Sequence, residues 1–320
     1  MLKFSEKTKL LLMKLQYDFP LTSSPFAKIS EELNHDETWI ISRIRELKDK
    51  GIIKRIGATL NYVANNKVAA LVLVKVSESI MNEFIESINN IVNVSHNFLR
   101  EHPVYNVWFV IKASSRDEIN SLVSKVMRRF SINDYLILHT VRTYKLDVKF
   151  DLFKGISRTR GKVLPKHVPT ITDLGLSMNF FRMIKSISIE SRPFDRIAKY
   201  MGKNVDYIIN TIKKLIHIGV LRDFYAVLNQ EKIGFKENAV VALQCSNCEK
   251  VAYLEETTHV VEREVVSSKW PYNCYFVVHG VDRRIIEDTV HKIIERVKAS
   301  RYEIIYSIRN LLPEMRTATY

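Results

Sequence analysis

The residue types best suited to chemistry cluster in two stretches of this 320-residue sequence. Residues 95–112 read SHNFLREHPVYNVWFVIK, and residues 258–280 read THVVEREVVSSKWPYNCYFVVHG. Because alternate residues of a strand share a face, Asn106, Trp108 and Lys112 are predicted to point the same way. Such a face suits a large, flat, anionic ligand, with rings to stack on it, cations for its carboxylates and imidazole for a metal or a proton. The same alternation in the second stretch groups Asn273, Tyr275 and His279.

Both stretches belong to a repeat that covers most of the chain. The segment that begins at Pro25 realigns without a gap on the segment that begins at Pro193, and VYNVWFVIKA realigns with PYNCYFVVHG. Two copies of one module are therefore predicted. Residues 151–175 lie between them, are rich in Lys, Arg, Gly and Pro, and show no apolar period, which predicts a basic linker.

Each copy predicts a winged helix-turn-helix followed by a ferredoxin-like domain. Ile40, Ile44 and Leu47 lie on one helical face, and the helix is expected to stop at Gly51, as its counterpart stops at Gly219. A β-rich pair then follows, and the later segments have the order βαββαβ. The predicted class is α+β, with helix-turn-helix domains at residues 1–62 and 176–230 and ferredoxin-like domains at residues 63–150 and 231–320.

The formal net charge of +14 is the unusual bulk property of the chain. Together with a helix-turn-helix, it suggests a polyanionic partner such as DNA. A reading helix, however, needs Arg, Lys, Asn or Gln near its start. These helices begin with Asp36, Glu37 and Asp206, which stabilise a helix start but repel phosphate. DNA binding is therefore disfavoured, and the helix-turn-helices are interpreted as structural or dimerisation elements.

Composition excludes several classes of protein. A hydrophobic content of 46% and a charged content of 26% exclude wholesale disorder. No apolar run approaches the roughly 20 residues that span a bilayer, and no signal-peptide cleavage site is evident, so a cytoplasmic protein without a membrane partner is predicted. Three cysteines argue against a disulfide-built secreted protein. The C-x-x-C of Cys245 and Cys248 lacks the second pair that zinc needs, and Cys274 stands alone.

The motifs resemble those of the sirohaem decarboxylases, which are Lrp/AsnC-like proteins. The resemblance rests on the two-copy layout, the PF start of each helix-turn-helix, KRIGA, REHPVYNVWF and KWPYNCYFVVHG, and it covers nearly all of residues 17–316. It implies oxygen-independent removal of two acetate carboxyls from sirohaem, giving 12,18-didecarboxysirohaem on a route to haem or haem d1. Family members act as paired subunits or fused chains, so the halves are expected to pair with each other, with a homodimer left open.

The resemblance and the residue types together give a set of candidate site residues. The two copies differ, since Lys112 stands where the second copy has His279, and Asp223 stands where the first has Arg55. The sequence does not indicate which copy is active. The catalytic candidates are His102, His259, Tyr105 and Arg263, and the substrate-binding candidates are Arg100, Asn106, Trp108, Lys112, Trp270, Tyr272, Asn273, His279 and Arg55.

The implied chemistry agrees with these residue types. Loss of carbon dioxide from an acetate on a pyrrole sends electrons into the ring, and the new methyl carbon must then take a proton. Arg100 or Arg263 is suited to hold a carboxylate, and an apolar neighbour such as Trp108 favours loss of its charge. A His or Tyr is suited to deliver the proton, whereas His102 or His259 is alternatively suited to ligate the iron. The iron tetrapyrrole is then the substrate, and no separate cofactor is expected.

Two alternative functions remain open at the level of the sequence. One is an Lrp/AsnC-like transcriptional regulator that senses a small ligand and binds DNA with a steep salt dependence. The other is a haem-binding sensor with the same pocket and no turnover.

Overall fold

The structure, a computed structural model, describes residues 4–313. Each half of the chain contributes three helices and a strand, and then a four-stranded unit with two helices. The first half contains α1 (Glu6–Tyr17), α2 (Pro25–Leu33), α3 (Glu37–Asp49), β1 (Ile53–Leu60), β2 (Val68–Val74), α4 (Met81–Asn89), β3 (Val94–Arg100), β4 (Val107–Ala113), α5 (Arg116–Arg129) and β5 (Tyr135–Leu146). A short hairpin, β6 (Phe150–Asp151) and β7 (Ile156–Ser157), follows. The second half contains α6 (Met178–Lys185), α7 (Asp195–Met201), α8 (Val205–His217), β8 (Leu221–Leu228), β9 (Glu237–Gln244), α9 (Cys248–Ala252), β10 (His259–Arg263), β11 (Cys274–Gly280), α10 (Arg283–Val297) and β12 (Arg301–Asn310).

The helix-turn-helix of each half begins and ends as the sequence predicts. The Asp36 carboxylate accepts a hydrogen bond from the Thr38 amide (2.6 Å) at the start of α3, which satisfies an amide that has no partner within the helix. Asn204 caps α8 in the same way. Gly51 follows α3 at a φ of +67°, a conformation that favours glycine. The apolar face of α3, with Ile40, Ile44 and Leu47, is buried.

The two helix-turn-helices share one core and one small sheet. The sequence predicts a β-rich pair in each copy, but each copy supplies a single strand here, and β1 pairs antiparallel with β8 of the other half. Ile56 of β1 and Phe224 of β8 belong to the same buried cluster, together with Ile44 of α3 and Ile212 of α8. The wing is therefore shared between halves, because one strand alone leaves its backbone groups unpaired.

The remaining strands form a closed eight-stranded barrel. Each ferredoxin-like unit contributes a four-stranded antiparallel sheet, in the order β5-β2-β4-β3 for the first half and β12-β9-β11-β10 for the second. Pairing of β3 with β12 and of β10 with β5 joins the sheets at both edges. These pairings confirm the predicted tandem α+β architecture and leave no open sheet edge in the ring.

Alternation along the strands divides the side chains between two environments. Val72 and Phe109 face outward and pack under α4 and α5, and Phe276 of the second half packs similarly with α10 residues. Leu73 and Trp108 face the barrel interior instead. The interior is thus lined by both halves. Its apolar members are Leu71, Leu73, Tyr105, Trp108, Leu138, Val240, Ala242, Trp270, Tyr272, Tyr275 and Ile305.

The segment at residues 151–175, predicted as a linker, is packed against both halves. Leu152 and Ile171 are buried in the helix-turn-helix core, and the Ile171 amide donates to the Ala64 carbonyl (2.9 Å). The Leu164 amide donates to the Tyr144 carbonyl at the end of β5 (2.7 Å). The segment is therefore ordered by both halves, although its Lys, Arg, Gly and Pro content suggested a plain connection.

The structure joins Cys248 to Cys274 in a disulfide and leaves Cys245 free. Cys274 looked unpaired in the sequence because 26 residues separate the two cysteines, and the fold brings them together in one buried cluster. No group of three or more potential metal-ligating residues occurs among residues 4–313. Within the same residues, no helix has the length and apolar character needed to cross a membrane.

Candidate active site

The nitrogen-bearing side chains of the barrel interior come in matching sets from the two halves. His96 pairs in register with the inward-facing Val110, so β3 turns His96 and Arg100 into the barrel. β10 contributes His259 and Arg263 in the same way. β3 and β10 are four strands apart in the eight-stranded ring and hence lie on opposite sides of it. The barrel therefore presents a histidine and an arginine from each side.

His96 is the counterpart of His259, a correspondence that sequence reasoning missed. The amide of Arg100 donates to the Asn106 carbonyl, and the amide of Arg263 donates to the Asn273 carbonyl, both at 2.8 Å. These equal contacts align SHNFLR with THVVER. The loop that follows Arg263 is longer than the loop that follows Arg100, and this shifts the repeat. A search for Ser/Thr-His-x-x-x-Arg in both copies would have found the pair.

A hydroxyl residue precedes each of the two histidines and lies beside its Nδ1 atom. Ser95 and Thr258 have main-chain carbonyls of the neighbouring strand within hydrogen-bond distance of their hydroxyls, at 3.4 and 3.1 Å. Nδ1 of His96 lies 3.1 Å from the Ser95 oxygen, and Nδ1 of His259 lies 3.2 Å from the Thr258 oxygen. With the hydroxyl protons on these carbonyls, the Nδ1–H of each ring donates to the hydroxyl oxygen and Nε2 carries the lone pair.

Both imidazoles are neutral in the unliganded barrel. Burial, followed by the nearby charges of Lys112, Arg222 and Arg100, lowers the pKa of His96 to about 3. Burial, followed by the effect of His279, holds the pKa of His259 well below its usual range. The His96 side chain nevertheless remains exposed. Because His96 points into the barrel and yet keeps accessible surface, side chains do not fill the interior around it, and this space is called the cavity below.

Arginine and lysine side chains make the cavity strongly cationic. Burial lowers the pKa of Arg100 to about 9, of Arg263 to about 10 and of Lys112 to about 8, where Arg222 adds to the effect. The Nε atoms of Arg100, Arg222 and Arg263 are buried without a hydrogen-bond partner. Clustered cations with unsatisfied donors are stabilised by an anion that supplies both charge and acceptors.

The chain segments that leave the helix-turn-helices also reach the cavity. Gln230, just after β8, places its Oε1 2.8 Å from Nδ1 of His279, and the buried Nε2 of that ring has no partner. Burial lowers the pKa of His279 to about 3. The corresponding residue of the first half is Tyr62, whose ring centroid lies 5.4 Å from the Lys112 ammonium. The first half thus offers a cation where the second offers a neutral imidazole.

Aromatic side chains fill another part of the barrel interior. The Trp108 indole donates to the Tyr105 carbonyl (2.8 Å), and the Tyr275 hydroxyl donates to the Tyr272 carbonyl (3.0 Å). Trp270, from the longer loop, packs edge-on against Trp108 at 5.6 Å between centroids and donates to the Tyr275 hydroxyl (2.7 Å). These five residues, Tyr105, Trp108, Trp270, Tyr272 and Tyr275, are called the aromatic plug, and they form an apolar wall of the cavity.

Comparison with known proteins agrees with this architecture. The model of the "AsnC-like ligand binding domain" matches residues 66–145 and 232–311, and that of the "Siroheme decarboxylase NirDL-like HTH domain" matches residues 8–54. The siroheme decarboxylase alpha subunit of Desulfovibrio desulfuricans is 33% identical over 44% of this chain and 80% of its own length. The chain belongs to the sirohaem decarboxylase family.

Two further sirohaem decarboxylases match along nearly the whole chain. The siroheme decarboxylase of Hydrogenobacter thermophilus is 27% identical over 93% of this chain and 91% of its own length. The crystal structure of the siroheme decarboxylase NirDL superposes with a TM-score of 0.64, at 22% identity, over 98% of this chain and 96% of that one. The fold of the whole chain, including both helix-turn-helices, is thus a sirohaem decarboxylase fold.

The structure separates His102 from the histidines of the cavity. Its Nδ1 accepts hydrogen bonds from the amides of Val104 (3.2 Å) and Tyr105 (2.9 Å), so Nε2 carries the proton and lies 3.3 Å from the Glu303 carboxylate. Its ring stacks on Tyr105 in the aromatic plug. These contacts give His102 a role in the β3–β4 loop of this sirohaem decarboxylase, and its predicted catalytic role gains no support from its position.

Three other predicted site residues are also engaged away from the cavity. The Asn106 amide group binds the Val76 amide and carbonyl at 2.9 and 2.8 Å, and Asn273 binds Cys245 in the same manner at 3.0 and 2.9 Å. The Arg55 guanidinium donates to Thr59 and to the Ala58 and Lys185 carbonyls. We therefore assign these side chains to the scaffold, because their hydrogen-bonding groups are already used.

Arg222 was not predicted from the sequence, although its charge acts on His96 and His259. It lies on β8, one residue before Asp223, whose carboxylate binds the buried Lys149 ammonium (2.5 Å). The sequence offered no signal for Arg222, because its helix-turn-helix is distant along the chain.

The remaining predicted site residues lie in the cavity or its wall. Those that meet in the barrel are Arg100, Lys112, His259, Arg263 and His279, with Trp108, Tyr105, Trp270 and Tyr272 in the plug.

Proposed function

We propose that this chain is a carboxy-lyase that removes two acetate carboxyls from sirohaem, giving 12,18-didecarboxysirohaem on a route to haem or haem d1. The observation that carries the proposal is the cationic cavity, where histidine and arginine from each half face each other across the barrel. The iron tetrapyrrole is the substrate, and no separate cofactor takes part in the scheme.

Substrate binding follows from the charge of the cavity. Sirohaem is a flat polycarboxylate, and Arg100, Arg263 and Lys112 supply cations for its side chains. The desolvation of these cations is offset when carboxylates bind beside them, which favours a polycarboxylate ligand. The siroheme decarboxylase NirDL was solved in co-complex with an iron-uroporphyrin III analogue, and its fold matches this one with a TM-score of 0.62.

Proton delivery follows from the state of the imidazoles. Burial holds the pKa values of His96 and His259 well below neutrality, so at pH 7 each ring is neutral and its Nε2, as assigned here, has no proton to donate. Bound carboxylates raise the pKa of a nearby imidazole and let Nε2 take a proton from solvent. The protonated Nε2 then gives that proton to the methylene carbon as carbon dioxide leaves. General acid catalysis of this kind is typically worth about 10²- to 10⁴-fold.

Alternatively, one of these Nε2 atoms is suited to bind the iron of the substrate, and that histidine is then not the proton donor. A neutral imidazole whose Nδ1–H is held by an oxygen is the usual arrangement of a metal-bound histidine. His259 meets this requirement through Thr258, and His96 meets it through Ser95. His102 does not, because its Nδ1 accepts hydrogen bonds and its Nε2 faces Glu303.

Anaerobic incubation of the purified chain with sirohaem, followed by mass spectrometry, tests the proposal. We expect loss of two carbon dioxide units per tetrapyrrole. Tight binding without mass loss would instead make the protein a sensor. Absence of mass loss together with specific, salt-sensitive DNA binding would make it a regulator.

A further inference from the structure

We propose that Cys248 and Cys274 form a reversible thiol–disulfide site that controls how firmly the aromatic plug is held. Their disulfide joins α9 to the first residue of β11. The segment between β10 and β11 (residues 264–273), called the plug loop, ends directly before Cys274 and carries Trp270 and Tyr272 of the plug. The site itself goes beyond the proposed function, and only its effect on tetrapyrrole binding rests on that function.

The two halves of the chain hold this junction differently. The loop asparagine of each half binds both backbone groups of one residue, which is Val76 in the first half and Cys245 in the second. These two residues therefore correspond, as do Val107 and Cys274, which directly follow the asparagines. Val76 and Val107 are buried in one apolar cluster, so packing and hydrogen bonds hold the first junction. The disulfide is an addition of the second half.

The half with the disulfide is also the half with the longer loop. Residues 101–106 join β3 to β4 in the first half, whereas the plug loop spans residues 264–273. Its Trp270 ring contacts plug residues of both halves, with centroids 5.0 Å from Tyr272 and 5.6 Å from Trp108. A longer loop has more conformations to lose on ordering, and a covalent bond at its end limits those conformations. The disulfide therefore stabilises the position of Trp270 in the plug.

A small opening of the surface gives a reductant access to the disulfide. Cys248 is buried, but it begins α9, a helix of five residues, and Ser246 and Asn247 before it are exposed. Short elements at the surface open locally at a lower free energy than the core. The sequence predicts a cytoplasmic protein, and disulfides in that compartment are usually transient, catalytic or redox-sensing. We therefore expect the bond to be reduced in the folded protein.

Reduction transfers two electrons from a dithiol to the disulfide. A thiolate of the dithiol attacks the Cys248 sulfur and forms a mixed disulfide, and the Cys274 sulfur leaves as a thiolate that takes a proton. The second thiol of the reductant then displaces Cys248, which also becomes a thiol, and the reductant is left as its own disulfide. Burial raises the pKa of the Cys245 thiol, so this neighbour stays protonated at neutral pH and is a poor nucleophile.

Counting thiols by alkylation and mass spectrometry tests whether the site responds in the folded protein. The air-oxidised chain, denatured without reductant, should take up one alkyl group, on Cys245. After dithiothreitol treatment of the folded protein it should take up three, with an unchanged circular dichroism spectrum. Three alkyl groups before reduction, or a bond that dithiothreitol breaks only in denaturant, would overturn the proposal.

Trypsin cleavage after the exposed Lys269 measures how firmly the plug loop is held. The loop must leave the plug before this bond is cut, because Trp270 on its other side is buried. We expect dithiothreitol to speed the cleavage at least about 10-fold, since the disulfide limits the open states of the loop. Equal cleavage rates in the oxidised and reduced proteins would contradict the proposal.

Two matched variants each receive the residue of the first half. Cys274→Val takes the residue type of Val107 and should be cleaved rapidly with and without dithiothreitol. Cys245→Val takes the residue type of Val76, leaves the disulfide intact and should respond to dithiothreitol as wild type does. Cleavage of Cys274→Val as slow as that of the oxidised wild type would show that the bond does not hold the loop. Reduction of the wild type gives the same comparison without a substitution.

Release of sirohaem, followed by absorbance after dilution, connects the site with the cavity. We expect the reduced protein to release sirohaem about 10-fold faster than the oxidised protein, because the plug forms a wall of the cavity. Equal release rates despite unequal trypsin cleavage would overturn control of the cavity by this site. Failure of both redox forms to bind sirohaem would instead contradict the proposed function, and thiol counting and cleavage would still decide on the redox site.

Discussion

A histidine's chemistry in this protein depends on which ring nitrogen its neighbours occupy. His102 sits in REHPVYNVWF, one of the strings that carry the family resemblance, yet backbone amides occupy its Nδ1 and Glu303 faces its Nε2. The Nδ1 atoms of His96 and His259 lie instead beside the hydroxyl oxygens of Ser95 and Thr258. Residue type and spacing do not distinguish these cases, because a tautomer is set by contacts across strands and loops.

Lys112 should make tetrapyrrole binding depend on pH. Burial lowers its pKa to about 8, so the free protein carries this charge below that pH and loses it above. We expect affinity for sirohaem to fall as pH rises from about 7 to about 8.5 in wild type. Lys112→Met should bind about 10- to 100-fold more weakly at pH 7 and should lose this part of the dependence.

Absorbance titration of the tetrapyrrole across this pH range measures the effect. Lys125→Met, which removes an exposed charge on α5, is the matched control and should leave both affinity and its pH dependence unchanged. An unchanged pH profile in Lys112→Met would remove Lys112 from the binding site.

The β-hairpin loops of the two halves are held by the same device. Asn106 and Asn273 each bind both backbone groups of one residue in the adjoining strand-end segment. Both asparagines were predicted on the ligand-binding face because the YN-x-x-F motif was assigned to one continuous strand. In the structure β4 and β11 begin one residue after each asparagine, so both belong to loops, where alternation no longer holds.

Asn106→Ala should therefore reduce stability more than it reduces binding. The substitution leaves the amide and carbonyl of the buried Val76 without partners, which we expect to cost about 2–4 kcal/mol of unfolding free energy. Denaturant unfolding measures this, and the exposed Asn179→Ala should stay within about 0.5 kcal/mol of wild type. A stable Asn106→Ala protein that fails to bind the tetrapyrrole would restore Asn106 to the site.

At the scale of the molecule, the two halves form one folded unit. They share the β1–β8 sheet and the helix-turn-helix core, and they close the barrel through β3–β12 and β10–β5. The cavity exists only when both halves are present. Four of the cations behind the net charge of +14 that suggested DNA, namely Arg100, Arg222, Arg263 and Lys112, lie in the barrel or act on its histidines.

Cutting the chain between the halves should not separate them. A protease site inserted between the exposed Lys166 and His167 would break the covalent connection only. We expect native mass spectrometry of the cleaved protein to show one species with the mass of both fragments together. This species should retain tetrapyrrole binding, because the shared sheets and core hold the fragments together. Denaturing electrophoresis should show two fragments, and dissociation under native conditions would contradict the joint fold.

The sequence by itself determined the repeat, the α+β class, the order of elements and the chemical character of the ligand. These follow from periodicity and composition, which are local and survive without contacts. Only the tertiary structure decided that the two wings pair with each other, that His96 matches His259, and that the charge of Arg222, on a helix-turn-helix strand, acts on both histidines. Each of these depends on pairing between the two copies, and a linear repeat shows that two copies exist without showing how their strands meet.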